Sequence, residues 1–186
     1  NSLHDLIYIA SIITSACIQL DIESPIIVGG LAVETYTAGG YTTADIDFIT
    51  DSMTNLHRVM LGLGFTTKEG YRYYCHSKFG DVVEFPPPPL NGSKDRVIII
   101  DLPDGRVYYV IGIEDIIINR LEEFVYWDNK NIKRESAIQI ISILKAHFER
   151  IDMDYLKEQA IAKGVMDGLM LILSEIPDIS DAFREL

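Results

Sequence analysis

Two aspartates separated by one apolar residue are the feature of this sequence best suited to chemistry. Asp45 and Asp47 flank Ile46, and Phe48 follows them. In a β-strand successive side chains point to opposite faces, so both carboxylates would project from one face while Ile46 and Phe48 enter a core. Residues two apart in a strand lie roughly 6.5 Å apart at their Cα atoms. Two carboxylates at that spacing can jointly bind a pair of divalent cations, an arrangement that suits phosphoryl transfer.

The second informative feature is the pair Gly29-Gly30, which directly follows the β-branched run 26–28. Without side chains, these glycines let phosphate groups approach backbone N–H groups at the start of the next helix. A double glycine alone usually marks a tight turn, and two alternate aspartates alone often form a solvated strand face. The combination of the two features is more specific than either part. It consists of an apolar strand, two glycines, a short helix and then Thr43-x-Asp-apolar-Asp-apolar.

The elements that must position these residues can be predicted from periodicity and turn signals. Short β-branched or alternating runs predict strands over 26–28, 43–49, 71–75, 82–85, 97–102 and 106–111. The last two strands bracket Pro103-Asp104-Gly105, which is typical of a hairpin. Apolar residues at helical spacing predict helices over 3–20, 31–36, 114–127, 135–149, 152–163 and 165–176, and one more that Asp51 or Ser52 caps and Gly64 ends. This order predicts an α+β fold, with a mixed β-sheet flanked by helices and a C-terminal helical extension.

The composition excludes several classes of protein. With 28 acidic and 16 basic residues the formal net charge is −12, so bulk nucleic acid is not an expected partner. No apolar stretch approaches the roughly 20 residues of a membrane span, and no signal peptide is predicted. Two distant cysteines argue against a disulfide framework and fit a reducing cytoplasm. The four histidines form no zinc-hydrolase grouping, and the P-loop motif is absent from the sequence.

The glycine pair and the alternate aspartates together resemble the nucleotidyltransferase superfamily, which has the DNA polymerase β-like fold. More narrowly, the sequence is similar to small prokaryotic uncharacterised nucleotidyltransferases, the group allied to abortive-infection toxins, and to minimal nucleotidyltransferases. The resemblance covers residues 26–121, including the segments 83–86 and 113–115. It implies a nucleotidyltransferase-like core over residues 1–112 and a helical C-terminal extension over 113–186 that packs on the core.

The resemblance also implies a third carboxylate on a later strand. Glu84 is the best match, because alternation in its strand sets it opposite Val83 and Phe85. Asp101 is the competing residue, but it lies next to the hairpin turn, where aspartate commonly caps the backbone. A Glu in this place departs from the usual Asp of the family. A polar strand end before the proline run is the alternative interpretation of Glu84.

Two further residues have one functional and one structural interpretation each. Thr43 either braces the loop before its strand or faces a nucleotide phosphate, as the resemblance allows. Arg120 either points its guanidinium at the triphosphate, as the resemblance suggests, or forms a surface salt bridge with Glu123 or another carboxylate. The tyrosines of the strands, Tyr73 and Tyr74 among them, are interpreted as packing residues.

The resemblance implies a Mg²⁺-dependent nucleotidyltransferase that moves a nucleoside monophosphate from an NTP, with ATP preferred, to a hydroxyl of a protein or small molecule. Asp45, Asp47 and Glu84 would be the catalytic residues and the ligands of two Mg²⁺ ions that arrive with the NTP. Gly29 and Gly30 would hold the triphosphate. A toxin–antitoxin or defence context, with a cognate toxin or antitoxin as partner, belongs to this expectation. The alternatives are a non-catalytic nucleotide-binding or toxin–antitoxin module that kept the fold, and a tRNA nucleotidyltransferase.

Overall fold

The computed structural model describes residues 2–67, 72–78, 80 and 82–179, and the side chain of Val82 is not described. Contacts within the chain divide it into two units, Asn1–Gly112 and Ile113–Leu186. The first unit contains the sheet and the second is helical, in keeping with the α+β prediction. Among the described residues, no helix has both the length and the apolar character that crossing a membrane requires.

The first unit is a mixed seven-stranded sheet in the order β3-β4-β5-β2-β1-β7-β6. Strand β1 pairs in parallel with β7, and β2 pairs in parallel with β5, whereas the other neighbours are antiparallel. The strands are β1 Ile26–Val28, β2 Asp45–Ile49, β3 Phe65–Thr66, β4 Tyr73–His76, β5 Val82–Glu84, β6 Ile98–Asp101 and β7 Val107–Val110. The α-helices of this unit are α1 Leu3–Gln19, α2 Gly29–Tyr36 and α3 Met53–Gly62, and Lys94–Arg96 forms a short 3₁₀ helix.

One face of the central strands forms an aromatic and aliphatic core. Ile46, Phe48 and Val83 are fully buried on this face. The rings of Phe48 and Phe85 stack with centroids 5.9 Å apart, and Phe85 meets Tyr74 edge-on at 5.4 Å. Burial of large side chains at alternate positions is what fixes the register of a sheet, because a slip by one residue would expose all of them. The alternation predicted for the second strand is therefore confirmed.

Several boundaries differ from the prediction for local reasons. Helix α2 begins at Gly29 rather than at residue 31, and β2 begins at Asp45 because Thr43 belongs to the preceding loop. The short strand β3 was not predicted. Ser52 precedes α3 but makes no side-chain cap bond among the described residues, and Asp51 instead accepts a bond from Lys94 Nζ at 2.8 Å. The predicted strand start at Tyr71 lies outside the described residues.

The second unit contains the helices α4 Ile113–Tyr126, α5 Lys130–His147, α6 Met153–Ala162 and α7 Met166–Ser174, with a 3₁₀ turn at Phe148–Arg150. Helix α5 begins five residues earlier than predicted, because the Asn129 side chain accepts bonds from the backbone at 2.9 and 3.3 Å and caps it there. The buried carboxylates of Glu114 and Asp115 accept bonds from the Asp152 N–H and the Tyr155 hydroxyl, each at 2.8 Å. These bonds hold the start of α6 against α4.

Candidate active site

Three carboxylates lie on one face of the sheet, opposite the aromatic core. Asp45 and Asp47 occupy alternate positions of β2, and both are half-buried. In the parallel pair of β2 and β5, Asp47 is the register partner of Glu84. Register partners on neighbouring strands carry their side chains on the same face, so Glu84 joins the two aspartates. Asp101 lies on the edge strand β6, three strands from β2 in the sheet order, and does not join them.

The negative charge of Asp45 acts on the carboxyl group of Glu84. Burial, and secondly the negative charge of Asp45, raise the pKa of Glu84 above its usual value. In the part of the chain that the structure describes, no three His, Cys, Asp or Glu side chains already converge as a metal-binding cluster. Three oxygen-donor carboxylates on one face are nevertheless the hard ligands that Mg²⁺ prefers. The strands thus bring suitable ligands together, and their side chains would have to turn toward a common point to share a cation.

Gly29 gives the carboxylate of Asp47 its room. Its φ is +61°, and a Cβ atom built there would lie only 2.0 Å from Asp47 Oδ2. The carboxylate therefore rests against the first residue of α2. This is a reason for glycine beyond the approach of phosphates that the sequence suggested. A phosphate group at the start of α2 would also lie near this carboxylate, so a cation between them would be needed to offset repulsion.

Thr43 makes two hydrogen bonds that join α2 to β2. Its backbone N–H donates to Glu34 Oε2 at 3.0 Å, and its hydroxyl donates to Asp45 Oδ1 at 2.8 Å. These contacts agree with the interpretation that Thr43 braces the loop before β2, while a contact of Thr43 with a nucleotide stays a prediction.

Glu34 was not identified as a functional residue from the sequence. The available signal was its place three residues after Leu31, on the apolar stripe of a short helix, where a charged residue needs a buried partner.

Comparison with solved structures places this arrangement among known folds. An antigenic nucleotidyltransferase-like protein from Paracoccidioides brasiliensis matches with a TM-score of 0.62 and 17% identity, over 98% of this chain and 94% of that one. ANT(2″)-Ia, in complex with adenylyl-2″-tobramycin, matches with a TM-score of 0.56 and 16% identity, over 86% of this chain and 97% of that one. The chain has a nucleotidyltransferase fold. JHP933 from Helicobacter pylori also matches, with a TM-score of 0.53 and 13% identity, over 98% of this chain and 90% of that one.

The structural matches extend over nearly the whole chain, but at these identities they concern the fold alone. No family model matches the sequence, and no curated protein matches it either. The predicted fold class is confirmed by the structural neighbours, which share the nucleotidyltransferase fold that the resemblance implied.

Tyr73 adds an exposed aromatic ring to the carboxylate face. It is the register partner of Glu84 on β4, and 51% of its surface is exposed. The packing role predicted for it is therefore wrong, whereas its neighbour Tyr74 is buried in the core as expected. Strand alternation explains the difference, because consecutive tyrosines in a strand must point to opposite faces.

Arg120 lies in the helical second unit of this nucleotidyltransferase fold. Its Nη1 atom donates to Glu123 Oε1 at 2.6 Å and to Oε2 at 2.7 Å. The Ser136 hydroxyl donates to the same Glu123 carboxylate at 2.9 Å. The salt bridge weighed for Arg120 is therefore present, and its role toward a nucleotide stays a prediction.

Proposed function

We propose that this protein is a Mg²⁺-dependent nucleotidyltransferase that moves a nucleoside monophosphate from an NTP to a hydroxyl of a small molecule or protein. The observation that supports this most is the placement of Asp45, Asp47 and Glu84 on one face of adjacent parallel strands, within a nucleotidyltransferase fold. Gly29 begins α2 beside the carboxylate of Asp47, so a triphosphate at this helix start would lie next to that carboxylate.

Asp45 and Asp47, with Glu84 beside them, would hold two Mg²⁺ ions that arrive with the NTP. Bound there, the ions would neutralise triphosphate charge and polarise the reacting oxygens. The donor set fits, since all three side chains offer carboxylate oxygens and none offers sulfur or imidazole. Gly29 and Gly30 would present backbone N–H groups to the phosphates at the start of α2.

The transfer is a substitution at the α-phosphorus of the NTP. The acceptor hydroxyl oxygen forms a bond to this phosphorus, and the bond from the phosphorus to the oxygen that bridges to the β-phosphate breaks. Pyrophosphate leaves, and Glu84 accepts the hydroxyl proton. In the metal-free chain, burial and the charge of Asp45 raise the pKa of Glu84, which favours its acceptance of a proton.

A hydroxyl compound or a protein side chain is the proposed acceptor, with ATP as the proposed donor. The formal charge of −12 disfavours a nucleic acid as the acceptor, because binding its many phosphates needs clustered Lys and Arg. One structural neighbour, ANT(2″)-Ia, was solved with adenylyl-2″-tobramycin, which is a nucleotide-modified antibiotic. That complex supports a small hydroxyl acceptor for a protein of this fold.

The test is a transfer assay with α-labelled NTPs, with and without Mg²⁺, offered to three acceptor pools: hydroxyl-bearing small molecules, lysate proteins and bulk tRNA. We expect label on a small molecule or a protein, dependent on Mg²⁺ and accompanied by pyrophosphate release. NTP binding that ignores Mg²⁺, with no label transferred, would instead indicate a non-catalytic nucleotide-binding module. Label on tRNA would indicate a tRNA nucleotidyltransferase.

A further inference from the structure

The loop between α2 and β2 is attached to the helix at both of its ends by one residue, Glu34. Its backbone carbonyl accepts a bond from the Gly39 N–H at 3.1 Å, near the start of the loop. Its side-chain Oε2 accepts the Thr43 N–H at 3.0 Å, near the end of the loop. Glu34 is only 3% exposed, and a carboxylate is costly to bury unless it is well bonded. A buried carboxylate here therefore calls for an explanation beyond helix packing.

The same connection continues to one of the proposed metal ligands. The Thr43 hydroxyl donates to Asp45 Oδ1 at 2.8 Å. The Thr43 side chain is also confined, because a Cβ atom at Gly30 would lie 2.6 Å from its Oγ1. A carboxylate with one oxygen held in this way has little freedom to rotate, so its other oxygen keeps a defined direction.

We propose that Glu34 is a positioning residue for metal binding, which orients the carboxylate of Asp45 through Thr43. The inference rests on the proposed function, in which Asp45 holds a divalent cation. Groups that orient metal ligands typically change metal affinity about 10–100-fold when they are removed. Glu34 acts as a hydrogen-bond acceptor in this arrangement, so Gln, which keeps a carbonyl oxygen, should replace it, whereas Leu should not.

The test measures Mn²⁺ affinity in the presence of ATP, by the electron paramagnetic resonance signal of free Mn²⁺, and so does not depend on transfer activity. The variants are Glu34→Leu, Glu34→Gln and Thr43→Val. Val at position 43 keeps the backbone N–H that Glu34 binds and removes only the hydroxyl that reaches Asp45. We expect Glu34→Leu and Thr43→Val to weaken Mn²⁺ binding by about 10-fold or more, and Glu34→Gln to retain it within about 3-fold.

Thr37→Val is the matched control, because its hydroxyl donates to the backbone carbonyls of Val33 at 2.9 Å and Glu34 at 3.5 Å, at the other end of the loop, and the substitution leaves the Glu34 carboxylate in place. It should leave Mn²⁺ affinity unchanged. If Thr43→Val bound Mn²⁺ as the wild type does while Asp45→Asn abolished binding, Glu34 would be only a loop brace and the proposed function would stand. Equal Mn²⁺ affinity in the wild type and Asp45→Asn would overturn both proposals, because Asp45 would then hold no metal.

Discussion

At the scale of single residues, the candidate site depends on where strand alternation directs each side chain. Asp45 and Asp47 point away from the core because Ile46 and Phe48 fill it. The parallel register adds Glu84 beside Asp47. Within β2 and β5, ordinary β geometry places the carboxylates on one face once the apolar residues are buried.

Asp47→Asn should lower the rate of metal-dependent transfer about 100-fold or more, because the bound metal is expected to stabilise the transition state by several kcal/mol. The variant should fold normally, with a Tm close to that of the wild type, because Asn keeps the size of the side chain that lies against Gly29. Asp101→Asn is the matched control, since Asp101 is exposed on the edge strand. Near-normal transfer by Asp47→Asn would refute the role assigned to this carboxylate.

The raised pKa of Glu84 predicts a pH dependence of stability in the metal-free protein. In the folded state the pKa of Glu84 lies above its ordinary value of 4.5. At a pH near these values, the folded protein therefore binds more protons than the unfolded chain. The contribution of Glu84 to the free energy of unfolding is therefore fully present below pH 4.5 and is lost as the pH rises through the folded pKa.

The measurement is urea unfolding in a chelator from pH 4 to pH 7, with Glu84→Gln for comparison. Over this range the wild type should lose stability relative to Glu84→Gln. Parallel pH profiles for the two proteins would show that burial and Asp45 do not disfavour the charged form of Glu84.

At the scale of elements, the start of α2 and the loop after it contact both aspartates of β2. Gly29 and Gly39 both have positive φ, +61° and +85°, but their surroundings differ. A Cβ atom at Gly29 would collide with the Asp47 carboxylate, whereas a Cβ atom at Gly39 would meet nothing within 4 Å. The two positions therefore allow backbone strain and steric collision to be separated.

Gly39→Ala should cost about 1–2 kcal/mol of unfolding free energy, the strain of an L-residue in the left-handed region. Gly29→Ala should cost more than that and should also weaken Mn²⁺–ATP binding, because Asp47 must move. Chemical unfolding and Mn²⁺ titration of both variants are the measurements. Equal losses in the two variants, with metal binding intact in both, would show that the contact between Gly29 and Asp47 is unimportant.

The elements that sequence analysis predicted well were those with strong periodicity or turn signals. The strand at Asp45, the hairpin at Pro103-Asp104-Gly105 and the four C-terminal helices were all found. Contacts between distant segments were harder to predict. The two-residue strand β3 is too short to carry a periodic signal, and Glu34 is defined only by its bond to Thr43 across the loop. The position of Glu84 on a strand was predicted correctly. Its pairing with Asp47, however, depends on the register between β2 and β5, which a single sequence does not determine.

At the scale of the whole molecule, charge limits what the protein can bind. The formal charge of −12 comes from 28 acidic and 16 basic residues. The carboxylate face is itself negative, so an NTP would enter together with Mg²⁺. Binding of a nucleic acid would need clustered Lys and Arg, which release the counterions of its phosphates.

We therefore predict weak binding of bulk tRNA by the purified protein, with a Kd above about 1 μM at 150 mM salt, measured by filter binding. A basic RNA-binding domain of similar size serves as the positive control. Submicromolar affinity that falls steeply with salt would show that basic residues cluster in space, and would favour tRNA as the acceptor.

The most direct test of the central claim is a crystal structure with Mn²⁺ and an ATP analogue that has a methylene group between its α- and β-phosphorus atoms. Anomalous scattering should locate Mn²⁺ within about 2–2.3 Å of carboxylate oxygens of Asp45 and Asp47. Glu84 should face the same site, and the triphosphate should lie at the start of α2. A nucleotide bound elsewhere, or Mn²⁺ absent from these carboxylates at saturating concentration, would contradict the proposed active site.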